Sequence, residues 1–151
     1  MIVQGSPEWF AARLGKVTAS KVADVIARTK TGYGAGRSNY AAQLLCERLT
    51  GTVEPSFQNA AMLWGTEQEP FAREAYEYRT GTFVDQIAFV DHPRIGMSGA
   101  SPDGLIGADG LVEIKCPNTA THLDTLSSGK PKGIYVTQMQ WQMAVTGRAW
   151  C

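Results

Sequence analysis

The sequence changes character near Gly81, and this change limits which folds the chain can adopt. Before Gly81, apolar residues recur at helical spacing in segments that end at a glycine. After it, short segments rich in β-branched residues alternate with turn sequences such as 91–94 and 101–104. Helices that precede a meander of short strands and a last helix predict an α/β (α+β) layer architecture.

Capping residues and spacing define the predicted helices. Ser6 is a good N-cap before Pro7. Thr66 and Glu69 have capping-box spacing, and Pro70 is best tolerated near a helix start, so we expect a break or kink at Gly65. The predicted helices cover 7–14, 38–49, 60–79 and 134–145, with a further one opening at 18–20.

The remaining segments are predicted as strands, turns and loops. Residues 82–90, 95–100 and 111–115 have the composition of strands, while 30–37 is expected to be a glycine-rich surface loop without a Walker A pattern. His122 is placed in a loop, and 127–133 is predicted as a loop before the last helix.

Length and composition exclude several classes of protein. A chain of 151 residues is the size of one domain and buries a core without disulfides. No apolar run approaches the ~18 residues of a membrane span, so no membrane partner is expected. The three cysteines lack CxxC spacing, and Cys46 is predicted to be a buried small hydrophobe. We expect a soluble, intracellular globular domain.

Charge is unevenly distributed although the net charge is zero. Residues 1–48 carry seven basic and three acidic side chains, 49–113 carry three and ten, and 114–151 carry four and one. Basic flanks around an acidic centre fit a phosphate-binding rim around a metal pocket. Charge alone, however, favours ordinary scatter over this arrangement.

Two carboxylates and a lysine form the candidate site. In the strand 111–115 the side chains alternate, which places Glu113 and Lys115 on one face. Asp103 lies ten residues upstream, and an antiparallel return would bring it beside Glu113. Two carboxylates suit Mg²⁺, and a neighbouring lysine can hold or activate a water. Each piece alone is also typical of a turn or a surface ion pair, but their order and spacing together favour a metal site.

These residues resemble a known nuclease family. Residues 101–104 (SPDG) followed by 113–117 (EIKCP) are similar to the PD-(D/E)xK nuclease motif, in the form found in the phage lambda exonuclease and YqaJ-type viral recombinase family. The similarity runs from about residue 9 to 143. It includes Trp9, Arg13 and Ser20 near the start, the helix around Glu69, and Tyr135 and Gln138 near the end. In related families a tyrosine follows that glutamine by four positions, where this chain has Gln142.

The resemblance implies a fold and roles for individual residues. The fold would be the restriction-endonuclease-like core, a mixed sheet flanked by helices. Asp103, Glu113 and the carbonyl of Ile114 would bind Mg²⁺, with Mn²⁺ able to substitute. Lys115 would be catalytic, Gln138 would orient the water or phosphate, and Glu69 would support the metal unless it serves as a capping-box partner. Arg13 and Ser20 would hold a 5′-phosphate.

The implied activity is Mg²⁺-dependent 5′-to-3′ digestion of linear double-stranded DNA. It would leave 3′ single strands for a single-strand annealing protein, and the enzyme would be a homotrimer in the bacterial host cytoplasm, of phage or prophage origin. An endonuclease on the same core and a DNA-binding module inactive through truncation remain alternatives. Trp9, Trp64 and Trp141 could stack on bases, but core packing is favoured. Residues 1–151 would form one nuclease domain that lacks a C-terminal strand and helix, because 148–151 has the character of a new strand.

Overall fold

The computed structural model describes residues 3–53 and 59–151 and has the predicted order of helices, short strands and a last helix. The helices are α1 (Pro7–Arg13), α2 (Val22–Ile26), α3 (Ala35–Thr50), α4 (Ala60–Thr80), α5 (Thr119–Ser128) and α6 (Gly133–Thr146). The strands are β1 (Val17–Thr18), β2 (Arg28–Thr29), β3 (Gly32–Tyr33), β4 (Val90–Asp91), β5 (Ser98–Ala100), β6 (Gly104–Ile106) and β7 (Gly110–Val112). A 3₁₀ turn at Ala19–Lys21 leads into α2.

A small mixed sheet joins the two halves of the chain. Its strand order is β1-β5-β4, with β1 parallel and β4 antiparallel to β5. Helix α6 packs on this sheet, where Val145 meets Ala19 and Ala100 in the core. The indole of Trp141 packs against the same cluster and donates a hydrogen bond to the carbonyl of Gly99 at 3.1 Å. This packing fixes α6 relative to β5 and the segment that follows it.

A hairpin of β6 and β7 follows the sheet. Gly104 pairs with Val112, and Ile106 pairs with Gly110 across the turn. The Arg148 guanidinium donates to the carbonyls of Ile106 and Gly110, at 3.3 and 2.9 Å, and so ties the turn to the end of α6. At the open end of the hairpin, residues 103 and 113 are therefore neighbours.

Helix α4 corrects the prediction of a break at Gly65. The helix is continuous from Ala60 to Thr80, its N-cap is Asn59, and Pro70 lies inside it. The Thr66 hydroxyl donates to the Met62 carbonyl at 3.2 Å, so the capping-box interpretation of Thr66 and Glu69 is wrong. A Cβ on Gly65 would lie 3.3 Å from the Cys116 carbonyl oxygen. Glycine at this position allows α4 to approach the segment after β7.

Several predicted boundaries also change because tertiary pairing, and not composition, decides where strands form. Of 82–90 only Val90 is in a strand, with an isolated bridge from Asp85 to Leu105. The strand predicted over 111–115 ends at Val112. The expected loop at 30–37 contains β3 and the start of α3.

The sequence pattern also failed to predict one helix and the exposure of two side chains. Helix α5 was not predicted, and it contains His122, so the loop placement of that histidine is wrong. Cys46 is exposed, because it lies on the solvent side of α3. Trp64 is 52% exposed on α4 and does not pack into the core. No helix within 3–53 and 59–151 is both long and apolar enough to cross a membrane.

Candidate active site

The β6–β7 hairpin brings Asp103 and Glu113 together, as the antiparallel return predicted. Asp103 is buried, and its Oδ2 accepts a hydrogen bond from the Ile114 N–H at 2.6 Å. The Glu113 side chain is only 2% exposed. Burial of an ionised carboxylate is costly unless donors surround it. The hydrogen-bond donors around Glu113 therefore decide whether its carboxylate can be buried in the ionised form.

Three side chains donate hydrogen bonds to the Glu113 carboxylate. Its Oε1 accepts from the Lys115 ammonium, with which it forms an ion pair, and from Gln138 Nε2 at 2.6 Å. Its Oε2 accepts from Gln142 Nε2 at 2.6 Å. Lys115 follows Glu113 by two residues, whereas both glutamines come from α6. The hairpin and the last helix thus meet at one carboxylate.

Burial and neighbouring charges shift the pKa values of Asp103 and Lys115. The pKa of Asp103 is raised to about 7, chiefly by burial and then by the negative charges of Glu113 and Glu69, while the Ile114 N–H and Lys115 oppose the shift. For Lys115, burial lowers the pKa, but the charge and hydrogen bond of Glu113 and the charge of Asp103 outweigh burial, so the pKa is raised overall. Lys115 is therefore a cation at neutral pH and acts as a donor in this state.

A cleft of about 450 Å³ opens beside this cluster. Glu69 enters it from the interior of α4 and accepts a hydrogen bond from Arg73 at 2.5 Å. Ser20, in the 3₁₀ turn after β1, lines the same cleft and is exposed. Five of the predicted site residues line it together: Ser20, Glu69, Ile114, Lys115 and Gln138.

Arg13 lies in a different environment, at the end of α1. Its guanidinium carbon is 3.8 Å from the centre of the Trp9 ring, and the Trp9 indole donates to the Ser101 hydroxyl at 2.9 Å. Burial lowers the pKa of Arg13, while Tyr40 and Glu47 act in the opposite direction. Arg13 does not line the cleft described above, but Trp9 links its helix to the loop that carries Asp103.

The donor set fits a hard divalent cation. Among the described residues there is no group of three or more His, Cys, Asp and Glu side chains disposed around a metal position. Mg²⁺ needs only one or two carboxylates in a site where water and phosphate complete the coordination. Burial and, after it, the charge of Glu113 raise the pKa of Asp103, and a cation bound between the two carboxylates would oppose both effects. Asp103 and Glu113 would hold the cation.

Comparisons with known proteins agree with this geometry. The family described as YqaJ-like viral recombinase domain matches residues 8–149. The chain belongs to the YqaJ-like viral recombinase family. A crystal structure of an alkaline exonuclease (LHK-Exo) from Laribacter hongkongensis is similar, with a TM-score of 0.89 and 60% sequence identity over 97% of this chain and 71% of that one. A structure of LHK-Exo in complex with dAMP matches with the same values. No curated protein matches the sequence.

Membership in the YqaJ-like family confirms the predicted fold and enzyme class. The fold is that of the restriction-endonuclease-like nucleases, and the chain is an exonuclease of the YqaJ type. The roles of individual residues remain predictions. The structure adds the contacts of those residues around Glu113 and in the cleft.

The sequence pattern assigns no role to Gln142, which the structure places in the cluster around Glu113. Gln142 is completely buried and donates to Glu113, although it was noted only as a departure from the related pattern. Its position four residues after Gln138 was the available signal, because residues at that spacing share a helix face.

Proposed function

We propose that this chain is a Mg²⁺-dependent exonuclease that digests linear double-stranded DNA from the 5′ end and leaves 3′ single strands. The observation that carries the proposal is the meeting of Lys115 and Gln138 on Glu113, next to Asp103 and at the edge of an open cleft. Two acids, a lysine and a polar amide are the side chains that phosphodiester hydrolysis with a metal ion requires. Membership in the YqaJ-like family supports the same activity.

Each residue has a part in this proposal. Asp103 and Glu113, with the Ile114 carbonyl, would hold the cation, and Glu69 adds negative charge near Asp103 from α4. When bound there, Mg²⁺ would supply Lewis-acid chemistry to the scissile phosphate and would lower the pKa of a water. Lys115 donates to the attacking water and fixes its direction, and Gln138 orients the water or the phosphate. Mn²⁺ is expected to substitute for Mg²⁺.

The choice of the 5′ end rests on Arg13 and Ser20. Ser20 presents a hydroxyl to the cleft, and the planar guanidinium of Arg13 can pair with two phosphate oxygens at once. Arg13 is partly buried against Trp9, which limits its rotamers before DNA arrives. In this proposal Ser20 contacts the terminal phosphate from the cleft, and Arg13 contacts it from the end of α1. The dAMP bound to the similar LHK-Exo is a deoxynucleoside monophosphate, the kind of product that such digestion releases.

The wider biology follows from the resemblance. We propose one nuclease domain over 1–151, a ring-shaped homotrimer that keeps the DNA threaded, and a single-strand annealing protein that receives the 3′ strand in the bacterial host cytoplasm. Sedimentation velocity tests the trimer, since a monomer of 16.3 kDa and a trimer separate clearly.

The activity itself is tested on two matched duplexes of one sequence, one linear and one covalently closed. With Mg²⁺ the linear form should shorten progressively, whereas the closed form should stay intact. With a chelator in place of Mg²⁺ neither form should change. Cutting of the closed circle would favour the endonuclease alternative. No Mg²⁺-dependent product from either substrate would leave a DNA-binding module.

A further inference from the structure

The side chain of Gln142 makes one hydrogen bond outside α6 and leaves its own carbonyl oxygen without a partner. It is fully buried, its Nε2 donates to Glu113 Oε2 at 2.6 Å, and its Oε1 accepts no hydrogen bond from any described residue. A buried carbonyl oxygen without a donor is unfavourable, and each such atom calls for an explanation. Turning the amide around would point its oxygen at the carboxylate and repel it. The orientation observed is therefore the one in which Gln142 serves Glu113.

The distribution of donors on Glu113 is unequal. An ionised carboxylate has about four acceptor positions, two on each oxygen. Lys115 and Gln138 occupy both positions of Oε1, whereas Gln142 alone occupies Oε2. One position on Oε2 is thus left for a cation. The direction of that position is set by the single hydrogen bond that Gln142 makes.

We propose that Gln142 is a positioning residue for the metal site: it holds Glu113 so that Oε2 is the oxygen that binds the cation. The proposal rests on the proposed function. Gln138 and Gln142 lie one helical turn apart on α6, so one rigid helix contacts both oxygens of the carboxylate. Such a grip prevents rotation of the carboxyl group about its last bond. Gln142 acts through Glu113 and does not touch the substrate.

Substitution by an apolar side chain of similar length tests this role. In Gln142→Met the amide donor is lost, while buried volume is nearly kept. Gln140→Met is the matched control, because Gln140 is exposed on the same helix two positions earlier. Mg²⁺ binding to the full chain without DNA is measured by titration calorimetry. We expect Q142M to weaken Mg²⁺ binding by about 10-fold or more, the usual loss for a partner of a metal ligand, and Q140M to match the wild type.

Kinetics separate positioning from a merely structural role. Excess Mg²⁺ should restore most of kcat in Q142M, with KM for linear duplex DNA unchanged. A structural defect would lower activity equally at every Mg²⁺ concentration and leave the Mg²⁺ Kd unmoved. If Q142M fails to fold, Gln142→Asn keeps an amide but withdraws it by one methylene, and it should also weaken Mg²⁺ binding. A Mg²⁺ Kd equal to the wild-type value in the folded variant would overturn the proposal.

Glu113→Gln distinguishes failure of this inference from failure of the proposed function. If the wild type binds Mg²⁺ and E113Q does not, the metal site stands, and a wild-type Kd in Q142M overturns only the role of Gln142. A wild-type chain that neither binds Mg²⁺ nor cleaves linear DNA overturns both.

Discussion

The carboxylate centre around Glu113 and the Arg13 region are built in opposite ways. At the carboxylate centre, hydrogen bonds end on the functional side chain itself, from Lys115, Gln138 and Gln142. Around Arg13 they end on the backbone of Gly15 instead: Glu47 accepts from its N–H at 2.9 Å, and Arg48 donates to its carbonyl at 2.8 Å. Arg13 is held by stacking on Trp9 and by nearby charge.

The side chain of Glu113 is therefore held in one orientation, whereas the guanidinium of Arg13 can adjust to a ligand. A carboxylate gripped by three donors keeps one orientation, as chemistry on a phosphodiester requires. A guanidinium with stacking contacts keeps its donors available for phosphate oxygens. We therefore expect changes at the first region to lower the cleavage rate or the Mg²⁺ affinity whatever the DNA end, and changes at the second to alter the preference for DNA ends.

The largest effect is expected from removal of the Lys115 ammonium. Lys115→Ala should lower the rate on linear duplex DNA by roughly 10²–10³-fold, the usual cost of removing one preorganised hydrogen-bond donor from an active site. Mg²⁺ binding should persist, because Asp103 and Glu113 remain. A gel time course beside the exposed-site control Lys130→Ala measures the loss. A rate like that of the control would remove Lys115 from the mechanism.

Removal of the Arg13 guanidinium should affect ends selectively. Hydrogen bonds to charged groups are worth about 1.5–3 kcal/mol, so Arg13→Ala should slow digestion of 5′-phosphorylated ends by ~10–100-fold. Ends with a 5′-hydroxyl should slow much less. Arg94→Ala, an exposed arginine in a turn, controls for loss of general positive charge. Equal slowing of both kinds of end would make Arg13 a general backbone contact or a structural residue.

The pKa of Asp103 predicts a pH dependence of stability in metal-free protein. The folded pKa is about 7, against 3.8 ordinarily, so the folded state holds more protons between these values. The free energy of unfolding should therefore fall as pH rises from about 4 to about 7 and then level off. Added Mg²⁺ should offset the fall.

Urea unfolding at a series of pH values measures this dependence. Asp103→Asn should flatten the curve, because the titrating group is gone. Asp124→Asn, at an exposed position on α5, should leave the slope unchanged. A wild-type slope in D103N would show that another group titrates.

The smallest effect is expected at Gly15, which supports the Arg13 region. Its φ is +64°, and a Cβ there would lie 2.5 Å from Arg48 Cγ. Gly15→Ala should lower the free energy of unfolding by about 1–2 kcal/mol from backbone strain, plus the cost of moving Arg48. Gly129→Ala, with φ +63° and open space, measures strain alone. Equal losses in both variants would exclude a clash with Arg48.

Local sequence predicts the hairpin but not everything around it. Asp103 and Glu113 were found because the turn and the alternating strand lie within a few residues of each other. The roles of Gly65 and Gln142 could not be predicted, because each depends on a residue more than 25 positions away in the sequence. Gly65 contacts Cys116, and Gln142 contacts Glu113. Helix α5 was not predicted because half of its ten residues are Thr or Ser, which have low helix propensity.

The most direct test of the account is the order in which label leaves a linear duplex. Two substrates of identical sequence, both 5′-phosphorylated, carry a label on either the 5′-terminal or the 3′-terminal nucleotide of one strand. With Mg²⁺ the account predicts that the 5′ label is released first, as a mononucleotide, while the 3′ label stays in long products until late. Early release of the 3′ label, or internal fragments from both substrates, would contradict it.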